Sequence, residues 1–378
     1  MSILISITPT AAVDQAELEA HRVRAVPVVV ISPHNQCDCR CVMCDIWKVR
    51  DAKEFSVADL ERQMASFRDL GVRWVVFSGG EPQKNSHLPA LARMLRAEGI
   101  RITLLTAGLL LDSQAEVIAT TVDDIIVSLD GPPALHNRIR RVTGALERLA
   151  SGVRELRHIR PDVPIRARCT VQKMNHLALC ATVDSAREIG LNSISFLAAD
   201  VTSKAFNRPV IWPEERKEKV ALDAAEVEAL EEEIDRLIRD YKKDLTSGFI
   251  VESPDKLRRI VLHFRACLKQ VPPVAPRCNA PWVSAVVEAG GDVRPCFFHP
   301  PLGNINEGTL HEILNGSRAL HFRKDLDIAN NPTCRECVCS LYIPTAETFD
   351  AKVSDNNPRM TGTGEERNGG RNNRVSAK

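Results

Sequence analysis

An α/β fold built on a parallel sheet is what this chain predicts, and three observations carry the prediction. Short β-branched runs alternate with helix-patterned segments from about residue 25 to residue 200. Polar motifs recur just after several of those runs, at the strand ends where parallel α/β folds gather their reactive groups. The 378 residues suffice for one large domain with a smaller one attached.

The elements follow in order. Val28 to Ile31 opens the sheet, and a cysteine-rich loop follows it. Ser56 with Asp59 three residues on is a capping-box start for a helix that places Leu60, Met64, Phe67 and Leu70 on one face before Gly71 stops it. Trp74 to Phe77 is the second strand, and Ile100 to Leu105 the third, after a helix around Leu91 and Leu95. Ile125 to Val127, Ile165 to Val171 and Ile194 to Leu197 complete six strands. Six βα units form either a partial barrel or an open doubly wound sheet, and periodicity does not separate the two.

After Asp200 the rhythm changes. Pro209, Trp212 and Pro213 mark a linker, and Asp223 with Glu226 opens a long charged helix bearing Leu230, Ile234, Leu237 and Tyr241 at helical spacing. A second helix is expected from Asp255 to about Lys269. A Cys-, Gly- and Pro-rich unit follows, with a hairpin turning at Gly290-Gly291-Asp292. The expected organisation is an N-terminal extension over 1–24, an α/β core over 25–215, a helical linker over 216–271, a cysteine-rich domain over 272–345 and a disordered tail over 346–378.

Lys and Arg number 50 against 49 Asp and Glu, a net charge of +1, so no bulk electrostatic argument favours nucleic acid or a membrane surface. No run of about 18 apolar residues is present. The 12 cysteines are clustered and no cleavable leader is visible, which reads as metal ligation in the reducing cytoplasm. The histidines form no hydrolytic metal motif, and Walker and Rossmann loops are missing.

Cys37, Cys41 and Cys44 form a C-x3-C-x2-C run. Thiolates are the usual ligands of four-iron cubane clusters, so three sulfurs leave one iron open for a small-molecule ligand. A zinc site and a run of inert thiols are the alternatives; Cys39, only two residues from Cys41, is read as a bystander. Ser78-Gly79-Gly80-Glu81-Pro82 ends the second strand, where paired glycines allow close approach of a ligand to the backbone. Ser128-Leu129-Asp130-Gly131 ends the fourth strand and leads to Arg140; the Ser and Asp could equally cap the next helix. Cys278, Cys296, Cys334, Cys337 and Cys339 form a second constellation that suits zinc or an iron-sulfur cluster. Cys169, Cys180 and Cys267 read as small buried hydrophobes. Arg168, Gln172 and Asp200 lie near strand ends, where an ion pair is the simpler reading of each over a substrate contact.

The cysteine loop with the Gly-Gly-Glu-Pro stretch one βα unit later resembles the signature of the radical S-adenosylmethionine (SAM) superfamily. The resemblance implies a partial (β/α)6 TIM-like barrel, with a [4Fe-4S] cluster on Cys37, Cys41 and Cys44 whose open iron chelates SAM. It also implies reductive cleavage to a 5′-deoxyadenosyl radical, with an external electron donor such as flavodoxin or ferredoxin. By the same resemblance Gly79, Gly80 and Glu81 hold the methionine amino group, Ser128 contacts the ribose and Arg140 lies near the methionine carboxylate. Thr106 is the remaining side chain of a motif in which Ala107 replaces the relatives' asparagine, and Met43 stands where relatives place an aromatic residue against adenine. The C-terminal cysteines resemble the SPASM and twitch extensions. With five cysteines instead of seven, one auxiliary [4Fe-4S] cluster on Cys278, Cys296, Cys334 and Cys337 is implied, with Cys339 as the substitute for Cys337. The expected reaction is oxidation or other modification of a small molecule, since about 25 residues before the barrel are too few for a leader-peptide recognition domain. Peptide modification, a zinc-binding scaffold and simple electron transfer are the alternatives.

Overall fold

The computed structural model describes residues 19–343. The expected tail and most of the expected N-terminal extension lie outside those residues. Six strands, β1 (Val28–His34), β2 (Trp74–Gly79), β3 (Arg101–Thr106), β4 (Asp124–Ser128), β5 (Ile165–Val171) and β6 (Ser193–Ala198), pair in chain order and all in parallel. β1, β2, β4 and β6 are two or three residues longer than their apolar runs, because those strands continue into flanking polar residues that periodicity alone does not mark; β3 is shifted by one residue and β5 matches its run.

The helices form where the caps predict. Ser56 and Asp59 exchange hydrogen bonds at the start of Val57–Asp69, whose Leu60, Met64 and Phe67 are buried against the sheet. Asp223 and Glu226 do the same for Ala224–Asp240, and Leu230, Ile234 and Leu237 are its buried stripe. Ser253 caps Pro254–Cys267, the second expected helix of that region.

Two features of the sheet add to the sequence reading. First, the cysteine-rich segment does not stand apart from the core: β7 (Ser284–Val287) lies parallel to β1, with Val28 opposite Ser284 and Ile31 opposite Val287. Then β8 (Asp292–Arg294) and β9 (Gly303–Asn304) extend the sheet in antiparallel fashion. The sheet therefore runs β6-β5-β4-β3-β2-β1-β7-β8-β9. Its sequence reads as a hairpin, and nothing in a hairpin pattern states which strand its outer edge will meet. Second, the sheet is open, as a partial barrel requires. At the β6 edge Phe249 and Val251 bond to both sides of Ile194, and Glu252 accepts from Phe196 N–H, so the edge strand is covered by chain. No described helix is long and apolar enough to cross a membrane.

Candidate active site

The rim at the C-terminal ends of β1 to β6 collects the motifs. β1 delivers the chain into the cysteine loop, and the loop is fixed by backbone pairing on two sides. Arg40 N–H donates to the Arg140 carbonyl and Val42 N–H to the Ile139 carbonyl, at the end of the helix Pro133–Arg140. Gly80 N–H donates to the His34 carbonyl and Glu81 N–H to the Gln36 carbonyl, tying the approach of the loop to the end of β2.

The Gly79-Gly80 pair thereby has a steric reason within the chain. A Cβ on Gly80 would lie 2.2 Å from the Gln36 carbonyl oxygen, and one on Gly79, at φ +103°, 2.6 Å from Ser32 Cβ. What approaches these glycines is β1 and its loop, so their bare backbone seats the cysteine-bearing segment. The Glu81 side chain also turns inward. Its carboxylate accepts from Gln83 N–H, from the Thr106 hydroxyl at 2.9 Å and from Ala107 N–H at 2.9 Å, and it is 1% exposed. Burial pushes its carboxyl up to about 7 against those donors. Thr106 Oγ1 also accepts from Gly108 N–H. Glu81 and Thr106 thus bolt the end of β2 to the end of β3, and the missing asparagine at Ala107 is met there by a backbone donor.

Arg140 is engaged within the protein as well. Its Nη2 lies 2.6 Å from Asp130 Oδ2 and its Nη1 3.5 Å from Cys41 Sγ, with Arg140 and Asp130 both buried. Asp130 in turn accepts from Thr170 N–H and offers its own N–H to His136 Nδ1, an imidazole that burial lowers to about 4 and so keeps neutral. Asp130 holds the loop and the arginine together. The Ser128 hydroxyl, by contrast, meets no partner among the described residues.

Cys37, Cys39, Cys41 and Cys44 pack in one cluster with Met43, Ala107, Leu109 and Ala145. The Cys39 thiol lies between Cys37 and Cys41, and its hydrogen bond, with the Arg140 guanidinium behind, lowers Cys41 to about 6 despite burial. Burial pushes Cys44 up to about 12. Met43 Sδ lies 3.4 Å from Gln172 Nε2, and the fully buried Gln172 leaves its Oε1 without a partner. An orphaned buried acceptor beside a thioether suits a donor such as a nucleobase amino group. Thiols, that acceptor and the free Ser128 hydroxyl fit a cluster with a nucleoside partner.

Residues 200–216 prove to be a strap and not a passive linker. Arg208 pairs with Asp200 at 2.7 Å and donates to the Met43 carbonyl; Arg216 donates to the Val42 carbonyl; Trp212 Nε1 donates to Asp45 Oδ2 at 2.7 Å. The Trp212 ring lies between the two guanidiniums, at 3.8 and 4.5 Å from its centroid. Asp200 is thus ion-paired, as expected of a strand-end acid. Sequence gave little warning of Arg208 and Trp212, whose segment carries no period, only prolines on either side.

The second constellation also converges. Cys278, Cys296, Cys334, Cys337 and Cys339 line one small cavity together with Phe298 and His299. Burial pushes the Cys296, Cys334 and Cys337 thiols up, Cys334 to about 11. His299, which the sequence reading passed over, lies 3.4 Å from Cys334 Sγ. Cys337 Sγ donates to the Cys339 carbonyl, while the Cys339 thiol lies within electrostatic reach of Arg168 and Asp200 at the barrel rim. Phe206 of the strap meets Phe298 edge-on at 6.3 Å, so strap and cavity touch. Among the described residues no group of three or more His, Cys, Asp or Glu closes on a single metal ion.

Comparison with known proteins agrees with this geometry. Residues 31–169 match the radical SAM superfamily, and residues 278–338 match an iron-sulfur cluster-binding domain, SPASM. That second match begins on Cys278 and ends just past Cys337, leaving Cys339 outside. The chain is similar to an AdoMet-dependent heme synthase of Methanosarcina barkeri, 30% identical over 159 residues, 41% of this chain and 45% of that protein. It is also similar to a probable GTP 3′,8-cyclase of Methanococcus maripaludis, 28% identical over 231 residues, 57% of this chain and 72% of that one. The chain spans about half the length of the heme synthase. Streptococcus suis SuiB bound to S-adenosylmethionine superposes with a TM-score of 0.59 over 86% of this chain and 76% of that one, at 17% identity, a likeness of fold.

Proposed function

We propose that this chain, whose residues 31–169 match the radical SAM superfamily and residues 278–338 the SPASM iron-sulfur cluster-binding domain, is a radical SAM enzyme that abstracts a hydrogen atom from a small-molecule substrate and oxidises or otherwise modifies it. SAM, a [4Fe-4S] cluster and auxiliary iron-sulfur chemistry are its cofactors; bound at the rim, they supply a 5′-deoxyadenosyl radical on reduction. The observation that carries the reading is the convergence of a three-thiol loop with the buried, unpartnered Gln172 Oε1 and the partly exposed Ser128 at the end of β4 on one rim.

In this reading Cys37, Cys41 and Cys44 hold three corners of the cluster and leave the fourth iron to the methionine end of SAM. Gly79 and Gly80 seat the loop, and Glu81 with Thr106 fixes the neighbouring strand ends. Ser128, Gln172 and Met43 would hold the nucleoside end, through a hydroxyl, a buried acceptor and a thioether. Cys278, Cys296, Cys334 and Cys337 hold the auxiliary cluster. A small-molecule substrate is supported by the curated relatives, whose names denote a heme synthase and a GTP cyclase.

The test uses anaerobically purified protein. Iron with sulfide, and 5′-deoxyadenosine formed on reduction with SAM, are expected, and C41A is expected to form none. Zinc in place of iron, or cleavage surviving in C41A, overturns the assignment. For the substrate, deuterium should pass into 5′-deoxyadenosine from a deuterated small-metabolite fraction. Label arriving only from a peptide fraction overturns the small-molecule reading.

A further inference from the structure

We infer that Arg140, pinned by Asp130, sets the reduction potential of the cluster through a charged hydrogen bond to the Cys41 sulfur. The inference rests on reading Cys37, Cys41 and Cys44 as ligands of the SAM-binding cluster. It gives Arg140 a positioning and tuning role at the iron-sulfur site in place of the methionine carboxylate contact.

The fork of the guanidinium is already committed. Nη2 faces the Asp130 carboxylate at 2.6 Å and Nη1 faces Cys41 Sγ at 3.5 Å, within the reach of an N–H···S hydrogen bond. Nε and, across the pair, Asp130 Oδ2 take no hydrogen bond, so Asp130 holds the guanidinium as an ion pair. The backbone reinforces the contact, because the Arg140 carbonyl accepts from Arg40 N–H, next to Cys41. Arginine and sulfur are therefore held together at both main chain and side chain. The sulfurs are not treated alike: Cys44 Sγ receives the neutral Ile46 N–H at 3.4 Å, whereas Cys41 Sγ receives a cation.

The consequence follows from charge. Taking up an electron makes a thiolate-ligated cluster more negative, so a cation donating to one of its sulfurs stabilises the reduced state more than the oxidised state. Burial keeps that interaction from being screened, since Arg140 is 8% and Asp130 0% exposed. Asp130 opposes the effect while holding the guanidinium in place. Removing the cation should make the cluster harder to reduce, and neutralising Asp130 should make it easier.

The experiment is an EPR-monitored redox titration of the reconstituted protein without SAM, for wild type, R140Q, R140K and D130N, alongside iron and sulfide content and SAM affinity. R140Q is expected to shift the midpoint to a more negative potential at wild-type iron content, R140K by less, and D130N to shift it positive. An unmoved midpoint in R140Q together with lost SAM affinity overturns the inference and returns Arg140 to the carboxylate. If R140Q does not load iron, R140K and D130N decide, and shifts of the opposite sign or none in loaded protein overturn it. A wild type that binds no cluster defeats the underlying reading instead, so the two failures are distinguishable.

Discussion

Gly80 to alanine adds a single methyl group, and the structure says where it must go. Its carbon would lie 2.2 Å from the Gln36 carbonyl oxygen, 2.7 Å from the Gln36 carbonyl carbon and 2.9 Å from the Asn35 carbonyl carbon. An unstrained contact needs roughly 3.5 Å, so something must move by about 1 Å. All three atoms are backbone, and no side-chain rotamer relieves them. They belong to the two residues that precede Cys37, and the shift strains the Glu81 N–H to Gln36 carbonyl bond at 2.8 Å. Overpacking costs about 1–3 kcal/mol and a lost hydrogen bond about 1 kcal/mol more. For a chain of this size that lowers the melting temperature by about 3–5 °C. G71A is the control: Gly71 has φ +59° but nothing within 4 Å of the added carbon, so it carries backbone strain of about 1–2 kcal/mol and no steric push on the loop. Differential scanning fluorimetry and iron content of both variants make the comparison. G80A should melt below G71A and lose cluster iron, whereas G71A keeps it. A G80A protein with wild-type iron and a melting temperature no lower than that of G71A would refute the steric argument.

Two further outcomes follow from buried groups. Burial raises the Glu81 carboxyl from 4.5 to about 7, so the folded state holds a proton that the unfolded chain has released. Its contribution is fully present below pH 4.5 and is lost as pH rises to about 7; urea unfolding across that window should show wild-type stability falling relative to E81Q, and parallel profiles would contradict it. W212F removes the donor to Asp45 Oδ2 and leaves a buried acceptor unmet, which costs about 1–3 kcal/mol. Its urea midpoint should fall accordingly, and an unchanged midpoint would show that the strap is not held through this bond.

Most of the barrel was legible because its signals are local. A β-branched run, a capping pair such as Ser56 with Asp59 and a stopping glycine each act over a few residues, and all six strands and both later helices appear where those signals stand. The cysteine sets were legible for the same reason, as spacing in the chain. Side-chain direction was not. The resemblance places Glu81 and Arg140 beside a ligand, and nothing local tells that the Glu81 carboxylate and the Arg140 fork face Ala107, Thr106, Asp130 and Cys41, residues 10 to 99 positions away in the chain.

The sequence by itself determined the six-strand α/β rhythm, the placement of two thiol sets and the rim on which the first of them lies, since periodicity and spacing are properties of the chain. Tertiary structure alone decided that β7 joins β1, that residues 200–216 strap the cysteine loop through Arg208, Trp212 and Arg216, and that Gly79 and Gly80 are bare to admit Ser32 and Gln36. Those outcomes depend on which distant surfaces meet, and a contact between residues far apart leaves no period behind.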